Sequence, residues 1–286
     1  MKIRGLIYKN DSNNQIIQIK QNGYLKNFYF QKSQYKKFKR FLEEGELIEL
    51  VSYDSEIIHS RIACFQVMYI CEIVAILPKQ NKVLYDKKYL NKSMYDFFKN
   101  LNNKLFIDIE MTMPNYNGEK NFKAELIQAA FFVINKNGEE IERYNFHCIP
   151  TKKRHINTRT KKFLHLDSDG NVSYYKFYNK FKALLNKYKP AVITFGKNDK
   201  LYLESSYKTN NLPSLTFLTR FVNLSSIIKS YYELKYDPGL FALYEKYYGI
   251  KEPQAHDALE DAEVTKLVYD AFVKELEENV NDEYKK

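Results

Sequence analysis

The chain has no tryptophan, only three cysteines, and no apolar run that could cross a bilayer. A spanning helix needs roughly 18 or more apolar residues in succession. The best stretch, Ile70 to Leu77, is far shorter and carries Glu72, which excludes a helical membrane protein. Cys64, Cys71 and Cys148 show no metal-ligand spacing and no disulfide framework. They read as reduced, structural thiols of a cytoplasmic protein. The opening Met1-Lys2-Ile3-Arg4-Gly5-Leu6 lacks the apolar stretch of a secretory signal. Internal repeats, low-complexity tracts and Gly/Ser linkers are also absent.

What is present fits a globular protein: 286 residues, 44% of them apolar, enough for about two domains. The net charge of +10 and the pI near 9.1 favour polyanionic partners and steer them in. An AT-rich genome also enriches Lys, Asn, Ile and Tyr, so the charge supports nucleic-acid binding without establishing it. Up to residue 100 there are 17 Lys/Arg against 10 Asp/Glu, so most of the excess lies in this first part.

Residues 1–85 read as β-rich. Ile16 to Ile19, Phe28 to Phe30 and Leu47 to Val51 are short β-prone runs, broken by Asn10 to Asn14, Asn22-Gly23 and Glu44-Gly45. That spacing predicts a small all-β barrel. Residues 86–102 read as a helical connector, with Met94, Phe97, Phe98 and Leu101 at helical spacing. From residue 103 to 286 the pattern changes. Leu105 to Ile109, Leu126 to Ile134 and Ile141 to Ile149 form strands, the last two joined by the turn Asn135-Lys136-Asn137-Gly138. A helix follows, capped by Ser173, with Phe177, Phe181, Leu184, Leu185 and Tyr188 as its apolar stripe. Pro190 stops it, and Ala191 to Phe195 is the next strand. The order predicts an α/β domain with a mixed sheet.

The residues that carry chemistry lie in this second part. Asp108 and Glu110, two apart at the end of a strand, share one face. Side-by-side carboxylates repel unless a cation lies between them, and Mg²⁺ is the natural occupant. Asp199 follows the strand ending at Phe195, where α/β folds assemble sites. In His256-Asp257-Ala258-Leu259-Glu260-Asp261, Asp257 and Glu260 have capping-box spacing. Asp257 and Glu260 are therefore assigned to the helix start, and His256 and Asp261 to chemistry. Thr151 to Lys162, with Lys152, Lys153, Arg154 and Arg159, reads either as a solvated loop or as a rim that grips phosphates.

Three blocks, Phe106 to Thr112, Thr194 to Asp199 and Ala255 to Ala262, resemble the motifs of the DnaQ-like 3′–5′ exonucleases in their histidine-bearing DEDDh branch. Glu125 to Ala130 and Gly239 to Leu243 with Tyr248-Gly249-Ile250 match supporting segments. Phe195-Gly196-Lys197-Asn198-Asp199 is most similar to the enhanced-RNAi and KapD-type exonucleases, and Asp108-Ile109-Glu110-Met111-Thr112 also to oligoribonuclease. The family's turn after the third strand is replaced by Phe163-Leu164-His165-Leu166-Asp167. The resemblance implies a ribonuclease H-like fold with a mixed five-stranded sheet. It further implies two Mg²⁺ ions, or Mn²⁺, held by Asp108, Glu110 and Asp261 with Asp199, and His256 as general base. Ile109, Met111 and Thr112 are expected to frame the terminal base and sugar.

In the first part, Asn27 to Ser33 and Phe38 to Leu50 resemble the second RNA-binding strand of cold-shock domains and the segment after it. This implies an OB-type barrel that stacks bases on rings beside basic residues. Tyr24, Lys26, Phe28, Tyr29, Phe30 and Lys32 are the candidates. The first aromatic strand of that family is replaced by Gln15 to Ile19, which offers no rings. Taken together, the sequence predicts an exoribonuclease acting on single-stranded RNA, with single-stranded DNA as the alternative substrate and no membrane partner. A non-catalytic scaffold is the rival from another class.

Overall fold

A computed structural model describes residues 1–286 apart from 22, 79, 118–121, 153, 255 and 285–286. The chain forms two compact units, Met1–Asp96 with Leu276–Lys286, and Phe97–Glu275.

The first unit contains β1 (Lys2–Asp11), β2 (Ile16–Gln21), β3 (Tyr24–Tyr29), α1 (Lys32–Phe38), β4 (Leu47–His59), β5 (Ile62–Ala75) and β6 (Lys82–Asp86). β1, β2 and β3 form an antiparallel meander, and β4 returns to pair with β1. β5 pairs antiparallel with β4, then closes the ring by parallel pairing with β3 at Phe28↔Phe65 and Tyr29↔Gln66. Five strands closed in this order, with a helix between the third and fourth, make an OB-type barrel. β6 extends it as an antiparallel neighbour of β5. Ile3, Ile7, Ile17, Ile19, Phe28, Phe30, Ile48, Leu50, Val67 and Ile70 fill its core. Gly5 lets β1 approach β2: a Cβ there would stand 2.6 Å from both Ile19 Cγ2 and Lys20 O. β1 hides in the sequence because only Ile3 and Ile7 face inward among charged neighbours. Bulges after Glu49 and Val51 likewise break the period-two pattern of β4.

The barrel corrects part of the ring assignment. Phe28 and Phe30 are 0% exposed and belong to the barrel core, so they stack on no base. Lys32 is not on a strand; it opens α1. Tyr24 remains 75% exposed, Lys26 Nζ lies 5.9 Å over the Phe65 ring, and Tyr29 stacks on His59 with ring centroids 3.8 Å apart. The cause is closure: pairing of Phe28 with Phe65 fixes which parity of β3 turns inward.

In the second unit, β7 (Lys104–Met111), β8 (Leu126–Ile134), β9 (Glu140–His147), β10 (Ala191–Thr194) and β11 (Phe221–Asn223) form one mixed sheet in the order β11-β10-β7-β8-β9. β10 runs parallel to β7 and β11, while β8 is antiparallel to β7 and β9. The helices are α3 (Thr158–Phe163), α4 (Tyr174–Tyr188), α5 (Asn198–Thr209), α6 (Leu224–Tyr231), α7 (Leu240–Tyr248) and the start of α8 (Ala258–Tyr284). The connector helix α2 (Lys87–Lys99) and α8 contribute residues to both units.

One face of β7 turns Leu105, Ile107, Ile109 and Met111 into a core shared with Phe177, Phe181, Leu184 and Leu185 of α4. Ser173 caps α4 by accepting from Lys176 N, and Lys189 ends it in a left-handed conformation before Pro190. On the other face Phe106 meets Phe132 and Tyr269, Phe98 meets Tyr269 and Phe272, and Tyr231 meets Phe272. The end of the basic tract folds as α3. Asn157 accepts from Thr160 N at 2.9 Å and donates Nδ2 to Met113 O, while Thr160 Oγ1 accepts from Met113 N. That helix is thus fastened to the chain leaving β7.

Phe28→Ala is expected to cost about 3–5 kcal/mol of stability, as for a fully buried ring. Tyr24→Ala should stay within about 0.5 kcal/mol. Guanidinium unfolding checks both, and equal losses would contradict the inward assignment of Phe28.

Candidate active site

The alternation of β7 puts Asp108 and Glu110 on the face opposite Ile109 and Met111. Asp199, 8% exposed, stands in the first turn of α5, which begins just past β10. Asp261, 2% exposed, stands in the first turn of α8. Asp257 caps that helix: its Oδ1 accepts from Leu259 N at 3.0 Å and Glu260 N at 3.1 Å. Glu260 lies in the same turn, where an acid suits the helix dipole. Gln128 of β8 clamps the start of α8. Its Nε2 donates to Asp257 Oδ2 at 2.8 Å, and its Oε1 accepts from Ala258 N.

His256 precedes this cap with φ 54°, a conformation that side chains other than glycine seldom adopt. Its ring lies against Phe163, centroids 4.6 Å apart. One ring nitrogen of His256 and carboxylate oxygens of Glu110 and Asp261 all lie within 4.8 Å of one another.

Burial dominates the electrostatics, followed by mutual repulsion. Desolvation raises the Asp108 carboxyl well above its ordinary range, and Asp199, Asp261, Glu110 and Asp257 raise it further. Glu110 is pushed to about 8 by burial, then by Asp261 and Asp199. Asp199 rises to about 7 through burial, partly offset by backbone hydrogen bonds from its own amide and that of Ile109. Asp261 rises to about 6 through burial, partly offset by Gln254 Nε2, which donates to its Oδ2. The other oxygen, Oδ1, is buried without a hydrogen-bond partner among the described residues. Four desolvated acids, one with an orphaned oxygen, and an adjacent imidazole make a donor set suited to hard divalent cations.

The side chains of Ile109 and Met111, 5% and 8% exposed, pack into the core. They do not share the face of the acids and cannot frame a base or sugar. Thr112 is tied to the entry of β8: its N donates to Glu125 O, and its Oγ1 accepts from Glu125 N. Glu125 in turn accepts from Lys152 N, which anchors the start of the basic tract beside Thr112. Arg159 donates to Pro114 O and lies 5.5 Å over the Tyr116 ring. Arg154 is exposed, and Lys153 lies outside the described residues. Three residues that pattern reading missed support the site: Gln128, Phe163 and Gln254. Gln128 left a signal, as the lone polar residue in an otherwise apolar strand. Phe163 and Gln254 left none.

The model of the exonuclease family (RNase_T) matches residues 105–269, more than half of the chain. The chain belongs to this exonuclease family. Solved structures share the exonuclease fold. One is the 3′-exonuclease described in 3′-end-specific recognition of a histone mRNA stem-loop, at 16% identity, covering 62% of this chain and 83% of that one, TM-score 0.51. A second is the nuclease domain of 3′hExo, a DEDDh family member, bound to rAMP, at 17% identity, covering 63% and 94%, TM-score 0.51. A third is cell-death related nuclease 4, at 18% identity, covering 61% and 64%, TM-score 0.51. The exonuclease unit therefore has a ribonuclease H-like fold, a mixed sheet flanked by helices. No curated protein matches the chain in sequence. No described helix is long and apolar enough to cross a membrane.

Acids whose folded-state pKa lies above the unfolded value bind more protons folded than unfolded. Their contribution to stability is complete below pH ~4 and is lost as pH rises through the folded values. The metal-free exonuclease is therefore expected to lose stability progressively from the ordinary carboxylate range up to about pH 8. Saturating Mn²⁺ should remove much of that slope. Urea unfolding with and without metal tests this, and stability rising across the window would contradict it.

Proposed function

We propose that this chain is a metal-dependent 3′–5′ exoribonuclease that releases 5′-mononucleotides from single-stranded RNA. The observation that carries the reading is the convergence of Asp108, Glu110, Asp199 and Asp261, all with raised carboxyl pKa values, beside the His256 imidazole. Asp108, Glu110 and Asp261 would hold two divalent ions, Mg²⁺ or Mn²⁺, with Asp199 completing the second position. When bound, such ions make water acidic enough to attack at neutral pH and stabilise charge on the leaving 3′-oxygen.

The protein's own groups do the rest. His256 accepts the proton of the attacking water. Phe163 limits the tilt of the imidazole by packing on it, and the Asp257–Gln128 clamp keeps His256 and Asp261 in register. Lys152, Arg154 and Arg159 offer phosphate contacts beside the chain leaving β7, and Lys153 belongs to the same run. Thr112 holds the backbone edge against which the terminal nucleotide lies. On the barrel, Tyr24, Tyr29 and Lys26 supply ring faces and charge for a single strand. The RNA reading is supported by two solved structures of the same fold, one described with a histone mRNA stem-loop and one with rAMP. Cys64, Cys71 and Cys148, none of them in a disulfide, suit a reducing cytoplasm.

The test uses 5′-labelled RNA and DNA single strands with Mg²⁺ or Mn²⁺. The expected product is a ladder shortened one nucleotide at a time from the 3′ end, faster on RNA. Asp108→Ala and His256→Ala should each lower kcat by at least about 10²-fold while the circular dichroism spectrum is kept. Full activity in either variant would overturn the site, and faster degradation of DNA would replace RNA as the substrate.

A further inference from the structure

Two buried side-chain oxygens of α8 have no hydrogen-bond partner among the described residues: Asp261 Oδ1 and, one turn further on, Thr265 Oγ1. The first belongs to the candidate cation site. The second lies in the helix interior on a residue that is 1% exposed. There a threonine is a poor helix former. A buried hydroxyl left unpaired also costs stability that an apolar group of the same shape does not. Its Oγ1 does not bond back to the carbonyl four residues before it, the usual outlet inside a helix. Valine would serve the fold better at this position.

What the hydroxyl faces follows from the run of α8 over β7. Asp261, Thr265 and Tyr269 are spaced by four and form one row along the helix. Both ends of the row are fixed against β7. Carboxylate oxygens of Asp261 and Glu110 lie within 4.8 Å of each other, and the Tyr269 and Phe106 rings have centroids 5.4 Å apart. α8 thus runs antiparallel to β7, away from the acids. Four residues of helix rise about 6 Å and two of strand roughly 7 Å, so the two rows keep step. Phe106, Asp108 and Glu110 share one face of β7. Thr265, the middle of one row, therefore stands at the level of Asp108, the middle of the other. On β8 the residue paired with Asp108 is Ala130, whose side chain offers no donor. Gln254 donates to Asp261, and backbone amides donate to Asp199. At the level of Asp108 the donor is the Thr265 hydroxyl.

We propose that Thr265 is a positioning residue of the cation site: its hydroxyl donates to the Asp108 carboxylate when that group is charged and holds an ion. The bond fixes the carboxylate from the protein side and turns its remaining lone pairs to the cation. The assignment rests on the exonuclease reading above, which makes Asp108 a ligand.

The test is Mn²⁺ binding to full-length protein without nucleic acid, read by titration calorimetry, beside urea unfolding without metal. Thr265→Val keeps the shape and removes the hydroxyl; Thr265→Ser keeps the hydroxyl. Thr265→Val should bind Mn²⁺ about tenfold more weakly, as for loss of a group that orients a ligand. Its metal-free unfolding midpoint should be no lower than that of wild type. Thr265→Ser should bind like wild type. With Asp108→Asn already present, Thr265→Val should cost no further affinity. The proposal is overturned if Thr265→Val binds like wild type, if Thr265→Ser loses as much as Thr265→Val, or if the loss persists beside Asp108→Asn. A metal-free midpoint that falls in Thr265→Val also overturns it, because the hydroxyl then serves the fold. The catalytic reading fails separately. A wild type that binds Mn²⁺ with this dependence yet releases no mononucleotide keeps Thr265 and loses the nuclease. One that degrades RNA while Thr265→Val binds Mn²⁺ unchanged keeps the nuclease and loses Thr265.

Discussion

The structure turns on repulsion between carboxylates crowded at one end of a sheet. Oxygens of Glu110 and Asp261 approach within 4.8 Å, and two full charges at that distance repel by about 3 kcal/mol at an effective dielectric near 20. Asp108 and Asp199 add to the same field. A helix cap is worth about 1 kcal/mol, so no single local device holds the acids together. They are held because three separate elements end at one place. β7 is locked by its apolar face against α4, α5 follows β10, and α8 is pinned to β8 through Asp257 and Gln128. Each acid rides on an element whose position is set by packing elsewhere, and the burial that fixes the acids also raises their pKa values.

That arrangement explains the division of work inside His256 to Asp261. Asp257 spends both oxygens on backbone and on Gln128. Asp261 gives one oxygen to Gln254 and leaves the other without a partner among the described residues. Two aspartates four residues apart thus differ in their bonding, Asp257 satisfied and Asp261 with one oxygen unpartnered among the described residues.

The acids were legible in the sequence because their geometry is local. An i, i+2 pair on a strand must share a face, and an acid four residues past a helix cap must lie in the first turn. The mixed sheet was legible for a similar reason, through long apolar strands and a capped helix of clear period. The rings of β3 were not. Phe28, Tyr29 and Phe30 announce a strand, but which of them turns inward depends on β5, some 37 residues further along at Phe65. The expectation for Ile109 and Met111 erred differently. They neighbour the acids in sequence, and the alternation that grouped Asp108 with Glu110 already sent them to the opposite face. The supports of the imidazole were invisible because Phe163 and His256 meet only in three dimensions.

Without metal, the crowded and buried acids burden the fold electrostatically. The direct measurement is the unfolding free energy of wild type and Asp108→Asn at pH 8, with and without Mn²⁺. Without metal, the neutral variant is expected to be the more stable of the two, by at least about 1 kcal/mol given the pairwise repulsion between neighbouring acids, and Mn²⁺ is expected to stabilise wild type far more than the variant. A metal-free variant less stable than wild type, or equal stabilisation of both by Mn²⁺, would contradict it.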